Sequence, residues 1–271
     1  MIFKGRCLPK SYCLWLAVVL WLSTDGYVLA AQVEICSLPA QLAGVAFPVE
    51  LVEADWLCRM QPIVSNYTTA NKLGPLRTPL SESVYSHLLD HPPMTASLMN
   101  RLGLAPYQSE PRGPLRYWGN DGEGTEGIVQ LVYQDRANRI YYLEGSHQSH
   151  FLPRITGKAV VLLRMNQVTD SSGVEAMEST FVYYTRLDSR LLSGIASLLR
   201  PLVGSMVTRK LERGVDSVNR LSQAMRQQPD RVISEAAKPP ALSSDETVFL
   251  KEALQALRHL GRATPSKVVA P

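Results

Sequence analysis

The side chains with chemistry to offer are few and come in small groups. His147 and His150 lie in the run Gly145-Ser146-His147-Gln148-Ser149-His150, where imidazoles beside hydroxyls would suit a metal pair or a general base next to a nucleophile. A two-histidine metal site needs a further ligand, and no H-E-x-x-H helix or finger-type cysteine spacing supplies one. The run follows a strand pattern and precedes Phe151-Leu152-Pro153, so it reads better as a solvated loop. Asp121, Glu123 and Glu126 form a second group, interleaved with Gly122, Gly124 and Gly127. Paired carboxylates exchange protons or hold calcium, but the spacing of a calcium loop is absent, and acids among glycines are what a tight turn requires. No G-x-S-x-G elbow and no phosphate-cradling glycine loop occurs, so the sequence predicts no catalytic residue, cofactor or metal.

The remaining candidates would bind rather than react. Arg139, Arg154, Arg164 and Arg186 fall on or beside strand patterns, where an inward guanidinium would pair with a carboxylate or phosphate. Tyr133, Tyr141, Tyr142, Tyr183 and Tyr184 fall on the same patterns. Alternate residues of a strand face opposite ways, so one member of each adjacent tyrosine pair faces inward. With its hydroxyl unpaired, such a tyrosine anchors a ligand; bonded to backbone it is core. Tyr142, Tyr184 and Arg139 are the candidates for a pocket, with Met206 on a downstream helix as an adaptable contact to an irregular apolar molecule.

Compartment follows from the first thirty residues. Lys4, Arg6 and Lys10 precede the apolar run Leu14 to Leu22, and Val28-Leu29-Ala30 places small residues for cleavage before Ala31, which is the plan of a secretory signal at 1–30. The apolar run is far short of the roughly 20 residues that span a bilayer. Export is therefore expected, to a periplasm or the exterior, with a product that is soluble or at most peripherally attached to a membrane. Cleavage removes three positive charges and Asp25, so the formal charge falls from +4 to +2. No run of like charges remains to hold nucleic acid. Cys7 and Cys13 leave with the signal, and a disulfide between the remaining Cys36 and Cys58 is expected in an oxidising compartment.

The chain has 271 residues, 45% hydrophobic and 19% charged, enough to bury a sizeable core. Residues 31–76 read as a leader segment with an extended apolar stretch from Ala46 to Leu57. Helical spacing begins at Thr78 and runs to a stop at Pro92-Pro93, and a second helix, Met94 to Leu102, ends at Gly103. Strand texture follows: Leu115 to Trp118, Thr125 to Asp135, Arg139 to Ser146, Ile155 to Met165 and Val174 to Thr185, joined by short polar turns. Short turns between successive strands mean an antiparallel meander. From Ser189 to Gln227 apolar residues recur at three and four, predicting a long amphipathic helix with a bend or restart at Pro201. Residues 229–243 read as a linker, and Ser243 with Glu246 forms a capping box opening a last short helix before a disordered tail.

Two helices, a meander and a long closing helix resemble the helix-grip fold of the START-like superfamily. The resemblance rests on residues 117–124, on Arg139-Ile140-Tyr141-Tyr142-Leu143-Glu144-Gly145-Ser146, on Phe181-Val182-Tyr183-Tyr184, and on Arg209-Lys210-Leu211-Glu212. It implies an α+β fold over residues 77–228, in which a curved antiparallel sheet grips the C-terminal helix, with residues 229–271 as an extension. The first strand that such a fold places before its helices would fall in Ala46 to Leu57. The resemblance also implies a cavity holding an apolar small molecule such as a lipid or isoprenoid, hence an exported carrier. The alternatives are a cyclase- or hydrolase-like enzyme of the same superfamily and a non-catalytic envelope protein that docks through its helices.

Overall fold

A computed structural model describes residues 36–148, 154–169, 173, 175–188 and 196–262. The export signal, His150, the start of the long helix and the C-terminal tail lie outside the described residues.

Seven strands make one antiparallel sheet that is not closed into a barrel. They are β1 (Thr69–Thr78), β2 (Gln108–Gly113), β3 (Arg116–Asn120), β4 (Thr125–Gln134), β5 (Asn138–His147), β6 (Ile155–Thr169) and β7 (Glu175–Leu187). Their order is β1-β7-β6-β5-β4-β3-β2, so five of the six pairings join sequence neighbours and only β1 returns to the far side of the meander. The turn between β4 and β5 forms because Asp135 Oδ1 accepts the backbone N–H groups of Ala137 and Asn138, both at 2.6 Å. Between β1 and β2 the chain makes helices α2 (Glu82–Asp90) and α3 (Pro92–Arg101). The prolines that stop the first of these open the second, as Pro does at the first helical position.

After β7 comes α4 (Ala196–Gln227), a continuous helix of 32 residues that runs through Pro201 without a break. It lies along the inner face of the sheet. Tyr183 of β7 donates its hydroxyl to the carbonyl of Gly204 at 3.2 Å and is within 2.6 Å of Thr208 Oγ1. A curved sheet wrapping a closing helix is compatible with the helix-grip arrangement.

Curvature has a local cause. Gly119, Gly127, Gly145 and Gly157 are successive cross-strand partners on β3, β4, β5 and β6. A Cβ at Gly127 would stand 2.5 Å from the Glu144 carbonyl, and one at Gly145 2.7 Å from that of Glu126. At Gly127, Gly145 and Gly157 the neighbouring backbone comes too close for any side chain, which lets the sheet bend along this line.

Three sequence expectations need correction. The stretch from Ala46 to Leu57 is not the first strand: it holds a short 3-10 turn and the start of helix α1 (Ala54–Ser65). Trp56, Met60, Ile63 and Val64 recur at helical spacing and pack one side of that helix onto the sheet. The first strand is β1, whose polar sequence and Pro75 hide it; it is an edge strand with a register shift between Leu73 and Leu76, where proline is tolerated. β2 was likewise illegible, a polar edge strand containing Pro111. Finally, 229–243 is not a bare linker. Pro229 opens helix α5 (Pro229–Ala237), and the capping box then starts α6 (Ser244–Arg262), with Glu246 Oε2 accepting the Ser243 N–H at 2.9 Å.

The sheet is covered on both faces. Outside, α1 and the segment before it pack on Ile140, Tyr142, Val160, Leu162, Val182 and Tyr184, and the Cys36–Cys58 disulfide staples this layer. Inside, α2, α3 and the last turns of α4 share a core with α5 and α6, so residues 229–262 are built into the domain. Arg101 of α3 donates to the carbonyls of Glu235 and Lys238 at 2.9 and 3.0 Å, holding α5 in place. Among the described residues, no helix is long and apolar enough to cross a membrane.

Candidate functional site

The inner face of the sheet does not close completely on α4. A cavity of about 540 Å³ remains between β4, β5 and α4, with α2 and α3 across one end. Apolar side chains dominate its wall: Leu88, Leu89 and Met99 from the two short helices, Val129 and Leu143 from the sheet, and Leu211, Val215 and Val218 from α4. A recess of this size and character is typical of sites for small apolar ligands. It opens beside the exposed Gln108, Glu144 and Gly145. A smaller recess of about 350 Å³ adjoins it and shares Leu89, Gly119, Val129 and Tyr141 as a wall.

One helix residue makes room. Gly214 sits in the cavity-facing stripe of α4, and a Cβ built there would meet nothing within 4 Å. Glycine in a helix interior costs about 1 kcal/mol relative to alanine, so the helix gives up stability at a point where the space is left empty. Gly204, in contrast, would place its Cβ in ordinary contact with Thr69 and serves helix packing.

Polar groups gather at the two ends. At the inner end the Tyr85 hydroxyl is 2.8 Å from Ser179 Oγ, and burial raises the Tyr85 pKa. Nearby, burial pushes the Tyr141 pKa up to about 12 against the opposing pull of the Arg139 guanidinium. At the open end, the turn between β3 and β4 is tied to α4. Asp121 Oδ1 accepts the N–H groups of Glu123 and Thr125 at 2.8 and 2.9 Å, while its other oxygen pairs with Lys210. Burial alone would raise the Asp121 pKa, yet Lys210 and those N–H groups outweigh it and hold the carboxyl below its ordinary value. Glu123 pairs with Arg213 one turn along the helix. His147 Nδ1 is 2.9 Å from Thr125 Oγ1, and burial together with Lys210 lowers the imidazole pKa.

Of the residues singled out in the sequence, Tyr142 and Tyr184 stand on the outer face. Tyr142 packs on Trp56 and its hydroxyl donates to Glu144 at 2.5 Å, while Tyr184 stacks edge-on with Tyr67. Their neighbours Tyr141 and Tyr183 are the inward members, and Tyr141 lines the cavity. Arg139 shares the face of Tyr141 but is only 4% exposed, bound to Asp90 at 2.5 Å behind the wall. Met206 lies one turn before Lys210, the first helix residue of the wall, and takes no part in it. The acidic group at 121–126 makes the turn that its glycines suggested and also contributes Asp121 and Glu126 to the cavity rim. Tyr85, Lys210 and Gly214 were not singled out as site residues in the sequence, and Tyr141 was named there only as one of a pair with a single inward member. A glycine inside a strongly amphipathic helix is the one visible signal among these.

No known protein family matches the chain, and no curated protein does. Among solved structures, the chain is similar to a conserved protein from Geobacillus kaustophilus, with 11% identity and a TM-score of 0.42 over 57% of this chain and 95% of that one. It is also similar to an uncharacterised protein from Rhizobium leguminosarum, with 14% identity and a TM-score of 0.34 over 56% of this chain and 94% of that one.

Proposed function

We propose that this protein is an exported carrier of the START-like, helix-grip type, which encloses an apolar small molecule such as a lipid or isoprenoid between its sheet and α4. The observation that carries the reading is the apolar cavity of about 540 Å³ together with Gly214, which leaves that space open at a cost to the helix. Sequestration is the whole mechanism: burying apolar surface supplies affinity at about 25 cal/mol per Å², and a polar group at the inner end fixes orientation. Export is supported by the secretory pattern of residues 1–30 and by the Cys36–Cys58 disulfide, which persists in oxidising compartments.

Native mass spectrometry of the mature protein, exported with its signal intact and then extracted with solvent, tests the reading. A stoichiometric apolar adduct is expected. A clean apo mass after gentle purification, together with failure to take up any apolar probe, overturns it in favour of the enzyme or docking alternatives.

A further inference from the structure

The two recesses follow one another along the inner face of the sheet. On β4 the inward residues Gly127, Val129 and Leu131 border the main cavity, both recesses, and the second recess in turn. On β3 Gly119 borders both, while Tyr117, two residues back on the same face, borders only the second. Leu89 of α2 and Tyr141 of β5 stand between the two spaces. Each packs against the inner core yet is only partly buried, as a side chain with a void on two sides must be.

Gly119 is the one glycine of this line that backbone packing does not require. At Gly127, Gly145 and Gly157 a Cβ would stand 2.5 to 2.7 Å from a neighbouring carbonyl oxygen. At Gly119 a Cβ would meet, among the described residues, only the Gln108 carbonyl at 3.8 Å, which is an ordinary contact. Its φ is not positive either, so the turn chemistry that favours glycine is absent. Glycine inside a strand forgoes packing and weakens the strand, and where no backbone crowds it, it marks a place that a ligand approaches closely. At Gly119 that place is the boundary between the two recesses, and the missing side chain leaves the boundary passable.

Resting on the carrier reading above, we propose that the two recesses act as one bent channel joined at Gly119, and that the occupant is a single long, flexible hydrocarbon chain whose tail passes Gly119 into the second recess. A gap as wide as one missing side chain suits a methylene chain, whereas a fused-ring molecule would stop at Leu89 and Tyr141. The selectivity is therefore for chain length and flexibility, and Gly119 sets it.

Displacement of a fluorescent apolar probe, N-phenyl-naphthylamine, from the disulfide-bonded mature chain by straight-chain alcohols from decanol to docosanol reads chain length directly. Comparing variant with wild type at each length, under one set of conditions, cancels the behaviour of the alcohols in water. Wild-type affinity is expected to rise by up to about fourfold per methylene, the ~0.8 kcal/mol of a buried CH2, and to go on rising past the length at which Gly119→Val levels off. Gly119→Val is expected to match wild type within about twofold for decanol and to fall about tenfold or more behind it for docosanol, since two methylenes left unburied give that factor. Leu131→Phe, which fills the second recess from its own wall and leaves Gly119 in place, is expected to reproduce the loss for long chains. The same ratio to wild type at every length in both variants overturns the channel and leaves carriage intact. A loss for long chains in Leu131→Phe but not in Gly119→Val overturns Gly119 as the passage. Cholesterol displacing the probe at a lower concentration than docosanol overturns the flexible chain. Failure of the wild-type chain to bind the probe or any alcohol overturns carriage itself, and this inference with it.

Discussion

Gly214 separates stability from binding, because the same missing side chain weakens α4 and keeps the cavity open. Gly214→Ala removes the helix penalty of about 1 kcal/mol and adds a single methyl where no atom stands within 4 Å. For a chain of this size that is a rise in Tm of about 2–4 °C, with ligand uptake close to wild type. Gly214→Leu keeps the helix gain and lays an isobutyl group against Leu211, Val215 and Val218. Full burial of a leucine is worth about 1.5–3 kcal/mol, and a partly open cavity yields a fraction of it, so a total gain near 2 kcal/mol is expected. Probe affinity should fall by about tenfold or more, because the leucine occupies the space the ligand needs and roughly 1.4 kcal/mol of lost burial suffices. Thermal unfolding and probe titration on the same samples read both effects. Destabilisation by both variants would show that the helix face has no free space. A Gly214→Leu protein that is more stable yet binds as well as wild type would show that the cavity is not where the ligand goes.

Two further outcomes follow from the outer layer and from the titrating groups. Cys58→Ser opens a link across 22 residues, which by loop entropy lowers stability by about 3 kcal/mol; a urea midpoint unchanged from wild type would show that α1 holds its place by packing alone. Stability should also fall on acidification. His87 is held below the ordinary imidazole value by burial and by His91, which it stacks against, and His147 by burial and Lys210. Their neutral forms are favoured in the fold, so the contribution is full above a pH of about 6.5 and is lost as pH drops from there through the lowered native values. Asp121 acts further down: its carboxylate is favoured in the fold, so its contribution is full above about 3.8 and is lost as pH falls through its lowered native value. Urea midpoints at about pH 7.5 and about pH 5.5 should differ for wild type and differ less for His147→Gln. Equal slopes in the two proteins would remove His147 from the account.

The meander was legible because β4, β5, β6 and β7 carry β-branched and aromatic runs between polar turns, and α4 because its apolar stripe persists for 32 residues. The face of each strand was not legible. Alternation reveals an inward face when the other side meets water, but here α1 covers the outer face, so both residues of the Tyr141-Tyr142 and Tyr183-Tyr184 pairs are packed and neither parity stands out. β1 and β2 were lost for the opposite reason, since polar edge strands resemble loops. Lys210 was visible as one of many cations on the polar side of α4, and only the turn at Asp121, contributed from 89 residues earlier, gives it meaning.

The two edges of the open sheet carry a further consequence. β1 and β2 end the sheet on either side, and each contains a proline, Pro75 and Pro111. Proline has no N–H to donate, and beside these two stand Lys72 and Arg77 on one edge and Glu110 and Arg112 on the other. An incoming strand would find missing donors and charges to desolvate along either border. Extension of the sheet by a second copy is thus disfavoured at both ends, so an open sheet need not become a template for self-association.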